Sequence, residues 1–186
     1  MNSADWRGLV IMTLAQPAEA GRRLLELCPK RDVLWLVFFL TVVLNTIVQT
    51  TASLIIPAVN PDLDVPFEPV AQALATSTGI LFLSIAAFFF AGRLIGGQAS
   101  FNGIMCLVLW LQLLQIAARV VIYASTLIAP PLFSLLFLAM SLYSLYITLH
   151  FINQAHQFHS LGKSFIVVLL SALAAVPFVL ILYPLP

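Results

Sequence analysis

Residues 33–56 read VLWLVFFLTVVLNTIVQTTASLII and contain no Asp, Glu, Lys or Arg. A bilayer core is about 30 Å thick and a helix rises about 1.5 Å per residue, so a span needs about 20 apolar residues. The run is long enough to cross, and Pro57 is expected to stop it. Four more apolar runs follow, at 70–90, 103–128, 132–151 and 164–182. Their separators are polar or helix-breaking. They comprise an acidic, proline-rich loop at 60–69, a glycine-rich turn around Gly92, Arg93, Gly96 and Gly97, the pair Pro130-Pro131, and a segment holding His156, His159, Gly162 and Lys163. The expected fold class is all-α, a polytopic membrane bundle of five transmembrane helices over residues 33–186.

Composition supports the same class. Hydrophobic residues make up 62% of the 186 and charged residues 8%, against about 45–50% and about 25% in soluble domains. The net charge of +1 leaves no field able to collect a polyanion, so nucleic acid is excluded as a partner. Cys28 and Cys106 do not form a disulfide framework. The first apolar run is too long for a signal peptide and no A-x-A site follows it, so it is expected to be a retained anchor.

Residues 1–32 read as two short amphipathic helices, cytoplasmic or interfacial. The first carries Trp6, Leu9, Val10, Thr13 and Leu14. The second opens at Pro17, where a missing N–H costs little, and carries Arg22 and Arg23. Trp and Leu opposite Arg suit a helix lying in the membrane interface; an exposed tail or a helix packed on the bundle is the alternative.

Basic residues set the orientation. Arg7, Arg22, Arg23, Lys30 and Arg31 precede the first span, Arg93 follows the second and Lys163 follows the fourth. The opposite loops hold no Lys or Arg, only Asp62, Asp64 and Glu68. The N-terminus is therefore expected in the cytoplasm and the C-terminus outside. Trp6, Arg22, Arg23, Arg93, His156, His159 and Lys163 form a candidate cytoplasmic interaction face.

Polar groups inside spans are costly and need partners or water. Asn45 and Gln49 lie four apart in the first span. Gln112, Gln115 and Arg119 lie three and four apart in the third. Each set shares a helix face, and both sit at matching distances from the starts of their spans. These faces are expected to meet and hydrogen-bond. Interhelical glue is the simpler role, because no span contains the carboxylate that a coupled carrier would use. A substrate path is the functional alternative. In the second span Ala71, Ala75 and Gly79 lie at steps of four, which suits close packing inside the bundle or between copies.

Catalytic motifs are missing. Asp62, Asp64 and Glu68 lack the glycine and ligand count of a calcium loop. His150, His156 and His159 do not complete a zinc site. Gly162-Lys163-Ser164 imitates the end of a phosphate loop, but Gln157 stands where that loop needs glycine. No metal or cofactor is expected, and no enzymatic activity.

Three stretches together carry a family resemblance: LLELCPKRDVLWLVFFLTVVLNTI leading into the first span, LIGGQASFNGIMCLVLW before the third, and LYSLYITLHFINQAHQFHSLGKSFIVVLL before the fifth. The chain resembles the prokaryotic branch of the Yip (Ypt-interacting protein) domain family across nearly its whole length. The resemblance implies a five-span integral membrane fold, here in a bacterial cytoplasmic (inner) membrane. Eukaryotic relatives contact prenylated small GTPases, but their D-L-Y-G-P type run has no counterpart here, which argues against GTPase binding. The function expected is that of an interaction, membrane-organising or accessory-subunit protein. Its partners would be the lipid bilayer and a membrane protein or a second copy of itself. The alternative is a small transporter or channel with a polar path between the first and third spans.

Overall fold

The computed structural model describes residues 3–59, 68–126 and 132–182, with side chains for 6–56, 68–125 and 133–177. The described residues form seven helices and no strand: α1 (Ser3–Ala15), α2 (Pro17–Glu26), α3 (Arg31–Val59), α4 (Val70–Leu94), α5 (Phe101–Thr126), α6 (Leu132–His156) and α7 (Leu161–Leu182). Helices α3 to α6 are long and apolar enough to cross a membrane. Their outward faces carry exposed Leu36, Phe39, Leu54, Phe82, Leu138 and Leu142, the surface expected of helices bathed in lipid. Each of α3 to α7 extends past its expected run at one end at least, α4 to Leu94, α5 from Phe101 and α7 from Leu161. Helix α3 continues past Pro57 to Val59; a proline there forfeits only its own N–H bond near a helix end. Helix α6 runs past Phe151 to His156. Asp62, Asp64 and the Pro130-Pro131 pair lie outside the described residues.

Helix α5 is the hub and packs against α2, α3, α4 and α6. It buries Ile104, Met105, Leu107, Leu109, Ile116 and Ile122. Apolar burial alone does not drive helices together in lipid, so close packing and hydrogen bonds must do so. Several hydroxyls are satisfied within their own helices, while those of Thr46, Thr50 and Ser171 are buried without a partner among the described residues. Thr41 Oγ1 donates to the Val37 carbonyl at 2.7 Å, Thr78 Oγ1 to Leu74 at 2.7 Å and Ser141 Oγ to Phe137 at 2.8 Å. Each covers a polar group that the membrane would not solvate.

The N-terminal helices pack on the bundle. Leu9, Ala20 and Leu24 join the same buried core as Phe38, Ile85 and Met105. Trp6 stacks on Trp110 at 5.8 Å, and Trp110 Nε1 donates to Thr13 Oγ1 at 3.0 Å. The Tyr143 hydroxyl donates to the Leu14 carbonyl. Helix α2 lies against the end of α6, where a Cβ added at Gly21 would stand 3.2 Å from Phe151 Cδ1. Polarity divides the two helices differently from the sequence expectation. Helix α1 exposes Ile11 and Leu14 while burying Leu9 and Thr13, so its apolar residues do not keep to one side.

The Ala71, Ala75 and Gly79 row does not line the bundle interior. Ala71 and Ala75 are exposed, and α4 instead buries Ala73, Thr76, Leu81 and Ile85. A helix has only one inward stripe, and the bulkier Leu81 and Ile85 occupy it.

Candidate functional site

A cavity of about 400 Å³ opens among α3, α4, α5 and α6. Asn45 and Gln49 of α3 face Gln112, Gln115 and Arg119 of α5 across it. The two polar faces read from the sequence thus meet. Arg119 Nη1 donates to Asn45 Oδ1 at 2.7 Å, and Asn45 Nδ2 donates to Ser77 Oγ of α4 at 3.1 Å. Gln115 Nε2 donates to Ser144 Oγ of α6. One guanidinium and two amides therefore tie four helices together.

Apart from Glu68, the other walls come from residues that amides and charges in the sequence do not single out. Glu68, Thr76, Ser77 and Ser84 line the α4 side and Thr148 the α6 side. Thr76 Oγ1 donates to Glu68 Oε1 at 2.9 Å. The available signal is that Ser77 and Ser84 stand seven apart on one helical face. Small hydroxyls of this kind are common in helices that bury them, so the signal alone is weak.

Asn45 is the link whose loss should be felt most in this cavity. A hydrogen bond to a charged group contributes about 1.5–3 kcal/mol, against about 0.6 kcal/mol on average for a polar contact between membrane helices. Asn45→Leu is expected to destabilise the fold by about 2 kcal/mol. Gln115→Leu, which loses a neutral contact, should cost clearly less. Unfolding midpoints in detergent compare the two, and equal losses would show that the charge of Arg119 adds nothing.

At one end of the bundle the structure divides the candidate interaction face. Arg22, Arg23, Arg93, His159 and Lys163 are exposed there. Arg22 pairs with Glu19 at 2.6 Å. The Arg93 guanidinium lies over the Phe89 ring at 5.2 Å, and Lys163 Nζ lies 6.0 Å from the Phe158 ring centroid. Two residues leave the face. Trp6 is held against Trp110, which stands nine residues into α5 and so about 14 Å along the helix. His156 is 1% exposed.

His156 is a packing residue. Its Nε2 lies 3.1 Å from the Phe88 carbonyl, and its ring stacks on Phe158 at 5.1 Å. Gly92 and Gly97 leave the space it fills. A Cβ at Gly92 would fall 2.1 Å from Nε2, and one at Gly97 2.1 Å from Nδ1. His156 and His159 also do not share a helical face, because α6 ends at His156 and Gln157 and His159 take φ of 55° and 54°. Among the described residues no group of three His, Cys, Asp or Glu could hold a metal. Cys28 and Cys106 are both thiols.

These features define a multi-pass helical membrane protein with a polar cavity inside its bundle and a basic rim at one end. A family model for the Yip1 domain matches residues 11–182. The chain belongs to the Yip1 domain family. The match takes in α2 and the last five residues of α1, helices that pack on α5 and α6. No curated protein and no solved structure matches the chain.

Proposed function

We propose that this Yip1-family protein is a non-catalytic membrane-organising or accessory protein that docks an acidic partner protein on its basic end. The observation that carries this reading is the charge division between the two ends. Exposed Arg22, Arg23, Lys30, Arg31, Arg93 and Lys163 lie in or next to α2, the start of α3 and the α4–α5 and α6–α7 turns, together with the exposed acids Glu19, Glu26 and Asp32. That bias supports a cytoplasmic basic end and a cytoplasmic N-terminus. Helix α7 supports a fifth span. It has 22 residues, packs against α4 and α6, and carries no charge after Lys163. Five spans put the C-terminus outside, and a bacterial cytoplasmic membrane is the setting that the sequence resemblance implies.

Steering by surface charge is strong at low salt and fades within a Debye length of about 8 Å at physiological salt. Arg22→Glu with Arg23→Glu is therefore expected to reduce the partner retained after mild purification from native membranes several-fold. Raising the salt should reproduce the loss in the unaltered protein. Retention of lipid alone, with no protein held in stoichiometric amount, would refute docking.

A small transporter or channel is the second reading, favoured by the cavity that reaches Asn45, Gln49, Gln112, Gln115 and Arg119. Solute flux in liposomes that disappears in Arg119→Ala would establish it.

A further inference from the structure

Arg119 is the only Lys or Arg between Arg93 and Lys163. It stands seven residues before the end of α5, about 10 Å along the helix, in the third of the bundle away from the basic end. A cation at that depth is expensive and calls for an anion or dense hydrogen bonding. Its acceptor across the bundle is the neutral Asn45. A guanidinium offers five N–H donors, so one amide oxygen does not exhaust it.

Arg119 and Gln115 also line a second cavity. This groove of about 440 Å³ runs along the flank of α5 and α6, walled by Tyr123, Phe137, Met140, Ser141 and Ser144. Phe137 and Ser141 are exposed, as are neighbouring Leu138 and Leu142. The flank therefore faces the acyl chains of the bilayer. The cation is shared between the interior cavity and this lipid-facing groove, so a lipid lying along the flank can bring an anionic group to it. Its anionic group would meet Arg119 and the amides, and its chains would lie in the groove.

Glu68 limits the charge of that group. It lines the interior cavity, and its carboxylate would repel a dianion more strongly than a monoanion. A singly charged phosphodiester suits the site better than a phosphomonoester.

We propose that Arg119, with Gln112 and Gln115, binds the phosphodiester of a membrane phospholipid whose acyl chains occupy the α5–α6 groove. The site lies away from the basic end and does not depend on partner docking.

The test uses full-length protein stripped of co-purified lipid in detergent, with native mass spectrometry as the readout. Dioctanoyl phosphatidylglycerol is the probe. Dioctanoylglycerol lacks the phosphate, and glycerol phosphate lacks the chains. One phosphatidylglycerol should bind per chain, at least tenfold more tightly than either comparator. Arg119→Gln should weaken it at least tenfold. Ser141→Trp, which fills the groove at a wall residue with no bond to Gln115, should weaken the lipid and leave glycerol phosphate unchanged; this second variant decides the matter if Arg119→Gln does not fold. Equal binding of dioctanoylglycerol would overturn the phosphate contact. Equal binding of glycerol phosphate would make the site one for a soluble anion and overturn the lipid assignment. Lipid affinity unchanged in folded variants would overturn the site.

Discussion

Gly92→Ala is expected to destabilise the protein by about 3 kcal/mol, the upper part of the range for overpacking a filled core. The sign is the informative part. Alanine is the better helix former by about 1 kcal/mol at an open helical position, and Gly92 lies within α4. Here the new methyl would fall 2.1 Å from His156 Cε1 and Nε2. The ring cannot retreat, because it stacks on Phe158 and its other edge faces Gly97. The ring thereby clamps the ends of α4 and α6 to the turn before α5, where Gln98 N donates to the His156 carbonyl at 3.2 Å. Unfolding midpoints in detergent provide the measurement. Adding His156→Ala to Gly92→Ala should recover part of the loss, since the two sites are in contact and should couple. A Gly92→Ala protein as stable as the parent would show that the ring is not caged.

Trp110→Ala should release the N-terminal helices while leaving the spans assembled. The residue supplies the stacking surface for Trp6 and the donor to Thr13, and Thr13 is fully buried. Removing a fully buried Trp costs about 3–5 kcal/mol, and half-buried Trp110 should cost less. Much of that should appear as local opening of α1, which among the described residues is also tied to a span by the bond from Tyr143. Hydrogen exchange is expected to rise across residues 6–15 in the variant and to change little in α3 and α4. Uniform acceleration across all helices would mean that Trp110 holds the bundle itself. Unchanged exchange in α1 would mean that the stacking contributes little.

The spans and the α3–α5 polar match are legible in the sequence for simple reasons. Long apolar runs leave few alternatives in a membrane, and a step of three or four fixes a shared helix face. Heights counted along the two spans match Asn45 with Gln115 and Gln49 with Arg119, whereas Arg119 bonds Asn45, one turn away, because a long helical side chain leans toward the N-terminus of its helix. What stays hidden depends on the partners of each residue. His156 resembles a surface histidine until Gly92 and Gly97 are seen to make room for it, and those glycines read equally well as turn formers. Only Gly96, at φ +90°, needs glycine for its backbone. Trp6 suits an interfacial belt, and only Trp110 reveals where it goes. The α4 wall of the cavity escapes the sequence because Thr76, Ser77 and Ser84 are not costly enough to attract notice.

The central claim is that the basic end of this Yip1-family protein receives a protein partner. Photo-crosslinking residues placed singly at positions 93, 163 and 70 test it most directly in intact cells. Arg93 and Lys163 lie at the basic end, while Val70 is 52% exposed at the opposite end. The same partner protein should be captured from 93 and 163 but not from 70, and capture should fall when Arg22 and Arg23 are changed to Glu. Capture of lipid alone, or equal capture of the partner from position 70, would contradict the claim.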